Sequence, residues 1–99
     1  MTYRLAIRTA AENDLADIRD WYESRKPGLG LEFLTEIDAA IARIVQEPLS
    51  YPQMHRDVRR ALVPRFPYKL WFRVQPATVV VIACTHAVRG PAFLETRLS

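Results

Sequence analysis

Up to Pro48 the apolar residues recur mainly at helical spacing, and beyond Val58 they recur at strand spacing. That change of period constrains the fold more than any other feature of the chain. The first helical stripe is Ala11, Leu15, Ile18 and Tyr22, which Trp21 is expected to broaden. The second is Leu34, Ile37, Ile41 and Ile44, with Phe33 and Ala40 alongside. Pro27-Gly28 separates the two, and Pro48 ends the second, so the pair reads as a helical hairpin. Thr9-Ala-Ala-Glu12 matches a capping box and is expected to open the first helix. Ahead of it, Tyr3 to Arg8 alternates and predicts a half-buried strand.

Leu49 to Asp57 has no sustained period and reads as loop. Three strand-like segments follow: Val58 to Val63, Phe66 to Val74 and Val79 to His86. Pro64-Arg65 and Gln75-Pro76-Ala77 are hairpin-sized connections, which predicts an antiparallel meander. The last segment is β-branched and apolar on both faces, as a strand flanked on both sides would be. Residues 89–99 fit either a short helix or extended chain. The expected fold is α+β: strand, helical hairpin, three-stranded antiparallel meander and short C-terminal tail, as a single domain over residues 1–99. The hairpin stripes must cover one sheet face. The other face, or its rim, is expected to carry the cationic side chains as one platform.

Charge sharpens that expectation. Residues 1–57 hold seven Lys/Arg against ten Asp/Glu, a net of −3. Residues 58–99 hold seven against the single acid Glu95, a net of +6. The cationic set is Arg59, Arg60, Arg65, Lys69, Arg73, Arg89 and Arg97. Guanidinium groups on one face could grip phosphates or an acidic protein surface; solubility is the bland alternative. Trp71 shares a strand face with Lys69 and Arg73, and could either anchor a partner or pack beneath a helix. His86 could act as a general acid or base, with Tyr68 and Glu95 as possible partners, or serve as a structural histidine. His55 reads as a surface residue. Asp14, Asp17 and Asp20 read as a solvated helix face.

Other classes are disfavoured. No apolar run approaches the ~18 residues of a membrane span. The start, MTYRLAIRTAAEND, lacks the apolar core of a signal peptide, so a cytoplasmic location is expected. The single Cys84, with His55 and His86, offers too few ligands for structural zinc, and Cys84 itself reads as a small buried hydrophobe. No phosphate-cradling glycine loop occurs, and no metal or cofactor is expected.

Several features together resemble the RelE/ParE superfamily of type II toxin–antitoxin toxins. They are Trp21-Tyr22, Gly28-Leu-Gly30 followed by Phe33-Leu34, the run Arg59 to Tyr68 (RRALVPRFPY), and His86-Ala-Val-Arg89-Gly-Pro91. The Phe-Pro-Tyr and His-x-x-Arg-x-Pro elements look more like the ParE-like branch, once called plasmid stabilisation proteins. The tail Ala92 to Arg97 lacks the tryptophan that many relatives carry there. The resemblance implies a growth-inhibiting toxin that binds DNA gyrase and is neutralised by a cognate antitoxin in a hetero-oligomer. The alternative it implies is a ribosome-dependent mRNA endoribonuclease, with Arg59, Arg65, Arg73, His86 and Arg89 around the scissile phosphate. A non-toxic basic interaction or RNA-binding module is the third reading. Charge reversal of Arg59, Arg73 and Arg89 is expected to abolish toxicity and spare the fold.

Overall fold

The computed structural model describes residues 3–98. The alternating N-terminal segment forms strand β1 (Arg4–Ile7), and the chain turns directly into helix α1 (Thr9–Arg25). The expected capping box does not form. Arg8, with extended backbone, occupies the N-cap, Thr9 is already helical, and no side chain caps the first turn. A helical residue cannot aim its hydroxyl back at the amides the box requires.

The turn into helix α2 (Leu29–Gln46) explains both glycines of the Gly28-Leu-Gly30 motif. Gly28 sits at φ 91°, in the left-handed region that a side chain would strain. A Cβ on Gly30 would lie 2.8 Å from the Arg19 carbonyl oxygen, so glycine lets the helices approach. Glu23 of α1 then caps α2, its carboxylate accepting from the Gly28 and Gly30 amides at 3.0 Å each. The hairpin buries Ala11 and Leu15 from α1 and Phe33, Ile37, Ala40, Ile41 and Ile44 from α2. Trp21 does not broaden this stripe. It is half exposed, with the Arg25 guanidinium 4.5 Å above its ring.

Four more strands follow: β2 (Gln53–His55), β3 (Val58–Leu62), β4 (Tyr68–Gln75) and β5 (Thr78–His86). The sheet order is β1-β5-β4-β3-β2, with β1 parallel to β5 and the other pairs antiparallel. The segment expected to be loop therefore contributes the short edge strand β2. Its three residues carry no alternating pattern because only two of them pair, across an irregular register. As its sequence requires, β5 is flanked on both sides and buried from Val79 to Thr85.

A bulge in β5 fixes the two sheet faces. Trp71 pairs with Ala83, but Phe72 pairs with Val81, leaving Ile82 as an extra residue. Leu70, Phe72, Val79, Val81 and Cys84 face the hairpin. Trp71, Ile82 and Ala83 face the opposite way and join Val58 in a second cluster. The tail covers that cluster. It forms helix α3 (Leu94–Leu98), whose Leu94 is fully buried among these residues, with Phe93 and Leu98 packed around it. Burying one leucine contributes about 1.5–3 kcal/mol. Helical elements thus cover parts of both faces, where a single covered face was expected.

Candidate functional site

The sheet register assigns Arg59, Arg60, Lys69 and Arg73 to faces, Arg65, Arg89 and Arg97 lie outside the strands, and the seven do not form one platform. Arg59 pairs with Phe72 across β3–β4 and so points to the hairpin side. Its guanidinium donates to the carbonyls of Tyr51 at 2.6 Å and Leu49 at 3.3 Å, tying down the turn after α2. Arg65 occupies a left-handed turn position (φ 70°) and bridges Glu36 at 2.9 Å and Glu32 at 3.3 Å on α2. Arg73 makes a two-pronged contact with Asp57, both distances 3.1 Å. That hydrogen bond is the main reason Asp57's carboxyl is held below its ordinary pKa. The Arg89 guanidinium lies 4.5 Å above the Phe93 ring.

Arg97 closes a network that the sequence pattern hid. Strand β1 ends at Ile7, opposite Val81, so β5 runs on with an unpaired edge. Side chains complete that edge. Asp14 accepts from the Cys84 amide at 3.0 Å, and Arg97 donates to the Ile82 carbonyl at 3.0 Å. Arg97 also bridges Asp14 at 2.9 Å, which joins α1, β5 and α3. Asp14 is therefore not part of a solvated acidic face. The i, i+3 spacing of the three aspartates gave no sign that one of them faces a strand edge.

Arg60 and Lys69 share the face opposite the hairpin with Arg73, but among the described residues no acid engages these two; there Arg60 pairs with Trp71 and Leu62 with Lys69. Trp71 is fully buried there beneath α3, and its indole donates to the Thr85 hydroxyl at 2.8 Å. Trp71 thus packs beneath a helix, as one of its two readings expected, but the helix is α3 of the tail, and the Tyr68 face lies under the hairpin.

His86 lines one of the concavities of the surface. Asp14, Asp17, Ile18, Tyr68, Thr85, His86, Arg89 and Arg97 line an open pocket of about 270 Å³. The His86 ring meets Tyr68 edge to face at 5.5 Å, and its Nδ1 accepts from the Val88 amide at 3.2 Å. The neutral ring accordingly carries its proton on Nε2. Burial, then the Cys84 sulfur, push the Tyr68 phenol above its ordinary pKa. Of the two partners considered for His86, Tyr68 is adjacent. Glu95 is elsewhere, bonded to His55 Nε2 at 2.6 Å and Arg56 at 3.1 Å. His55 is accordingly half-buried, holding the tail to the β2–β3 turn.

Of the nuclease candidates only His86 and Arg89 line this pocket; Arg59, Arg65 and Arg73 lie away from it. Tyr68 stands opposite His86 at one end of β4, and Arg73 lies five positions along the strand. At ~3.3 Å per residue that is roughly 17 Å. Arg65 is turned toward α2. Reversing Arg59 or Arg73 would set a carboxylate against carbonyl oxygens or against Asp57, which would cost some stability. Among the described residues no group of three His, Cys, Asp or Glu could hold a metal ion, and no helix is long and apolar enough to cross a membrane.

The model of the ParE toxin of type II toxin–antitoxin systems matches residues 5–90. The chain belongs to this ParE toxin family. Solved structures share its fold. A chain of the chromosomal ParDE system from P. aeruginosa superposes with TM-score 0.77 at 21% identity, covering 86% of this chain and 96% of that one. A mutant E. coli toxin RelE in the free state gives 0.67 at 16% identity, covering 89% and 86%. A chain of the RelBE2 toxin–antitoxin complex from Mycobacterium tuberculosis gives 0.62 at 22% identity, covering 87% and 99%. No curated protein sequence matches the chain. As a ParE family member it is the toxin component of a type II system, and its α+β fold is the one the resemblance implied.

Proposed function

We propose that this toxin arrests growth by binding a protein target, DNA gyrase, and that it cleaves no nucleic acid. The observation that supports this reading is that Arg59, Arg65 and Arg73 are engaged away from the pocket of His86, Tyr68 and Arg89, which leaves that pocket short of the phosphate-binding candidates. General acid–base chemistry needs two groups within hydrogen-bond reach of one reacting centre. His86 has Tyr68 beside it, while Arg73 is roughly 17 Å away and Glu95 is paired with His55 and Arg56. A cognate antitoxin holds the toxin inactive as a hetero-oligomer in the cytoplasm. The ParDE and RelBE2 structures it resembles are toxin–antitoxin systems, and the basic half of the chain suits an acidic, partly disordered segment that folds on contact.

Induction of the toxin tests the reading. DNA breaks and an SOS response with intact transcripts are expected. Ribosome-dependent transcript cleavage without DNA damage would replace it with the nuclease reading, and unimpaired growth would leave a non-toxic interaction module.

A further inference from the structure

Among the described residues, the cations Arg60 and Lys69 have no counter-charge. Lys69 is only 7% exposed, and its ammonium sits 4.9 Å from the centre of the Trp71 ring. The Arg60 Nε is buried and has no hydrogen-bond partner. Among the described residues no carboxylate pairs with either side chain, whereas Arg59, Arg65, Arg73 and Arg97 each hold an acid or a carbonyl. Burial, and then the Arg60 charge, depress the Lys69 pKa, which is the mark of a cation held without compensation. A desolvated charge is costly unless it is paired, and a buried donor without an acceptor adds to that cost.

We infer that Arg60 and Lys69 form a carboxylate subsite that takes an aspartate or glutamate side chain from an acidic, partly apolar peptide segment of a protein partner. This rests on the reading that the toxin works by protein contact. Three observations favour a peptide over a nucleic acid. The neighbouring aromatic, Trp71, is sealed beneath α3 with its indole N–H engaged, so it offers no stacking platform for a base. Nucleic-acid backbones are tracked by rows of free cations, and Arg59, Arg65, Arg73 and Arg97 are already paired with groups of this chain. Leu62, paired with Lys69 on the same face, is 60% exposed and suits an apolar side chain flanking the acid.

The test uses the intact toxin and a blocked octapeptide with one glutamate between two leucines. Its glutamine counterpart and an eight-nucleotide single-stranded RNA serve as competitors. Nuclear magnetic resonance reads the Trp71 indole and the Lys69 ammonium. The glutamate peptide is expected to shift both signals and to bind at least about ten-fold more tightly than the glutamine peptide. Arg60→Gln and, separately, Lys69→Met should each erase that preference while keeping the thermal midpoint at or above that of the parent. Equal binding of the two peptides, an unchanged preference in both variants, stronger displacement by RNA, or no shift at millimolar peptide would overturn the inference. Growth arrest is not read in this assay, so loss of the gyrase reading and loss of the subsite are separate results.

Discussion

Replacing Asp14 probes how the tail is held. Asp14→Ala removes the acceptor of the Cys84 amide, a contact of 3.0 Å at the unpaired end of β5. Leaving a partly buried amide unsatisfied costs about 1–3 kcal/mol. It also removes the 2.9 Å ion pair with Arg97, whose side chains retain 21–25% exposure. Solvent screening limits that contribution to about 0.5–1 kcal/mol. The expected loss is therefore about 2–3 kcal/mol, or roughly 10–20 °C in the thermal midpoint of a domain this size. Asp14→Asn keeps an oxygen for the Cys84 amide and loses chiefly the charge, so about 1 kcal/mol is expected. Arg97→Ala should cost more than the asparagine variant, about 1–3 kcal/mol, because it leaves the carbonyl of the fully buried Ile82 without its donor. Urea unfolding of the three variants and of the Asp14→Ala/Arg97→Ala double variant measures the set. The double variant should lose less than the sum of the singles, since the two side chains share one interaction. Hydrogen exchange at Leu94 should accelerate in each variant, because α3 is docked through Arg97. An Asp14→Ala protein within about 0.5 kcal/mol of the parent would refute the reasoning, as ordinary surface substitutions fall in that range.

Gly30→Ala should destabilise by about 2 kcal/mol in the same assay, because its Cβ would meet the Arg19 carbonyl oxygen at 2.8 Å; an unchanged midpoint would show that the helices part freely. The Cys84 thiol, pushed up to about 12 by burial and then by Asp14, should resist iodoacetamide at pH ~8 in the native protein and react on unfolding. Asp57, whose carboxyl Arg73 holds below its ordinary value, contributes stability that is complete above the ordinary carboxylate range and is lost as pH falls through the lowered folded value. Arg73→Met should therefore return the Asp57 titration, followed by carboxyl carbon resonances, toward ordinary values and flatten the acid limb of stability below about pH 4.

Much of the fold is legible because local periodicity and global packing agree. The stripes through Ile37 and Ile44, the break at Pro27-Gly28 and the apolar run of β5 each admit one placement. Their neighbours were harder to read. Two-residue alternation in β4 separates Tyr68, Leu70 and Phe72 from Lys69 and Trp71 but does not say which set lies under the hairpin. The β5 bulge is silent in a segment apolar on both faces, and it is what puts Ile82 and Ala83 together against Leu94. The candidate site was the least legible part. Charge composition identifies cations without their partners, and the acids that engage Arg65, Arg73 and Arg97 come from α2, from the β2–β3 turn and from α1. Asp14 went unread because a helix-surface aspartate acquires its role only when an unpaired strand edge comes to rest beside it.

The claim that this ParE-family toxin binds and does not cut is tested most directly with purified components. The toxin is titrated into a DNA gyrase supercoiling reaction and, in parallel, into ribosomes translating a defined message. Inhibition of supercoiling that saturates with toxin–gyrase complex formation, with the message intact, is the predicted result. Cleavage of the ribosome-bound message that disappears in His86→Ala, with supercoiling unaffected, would contradict the account.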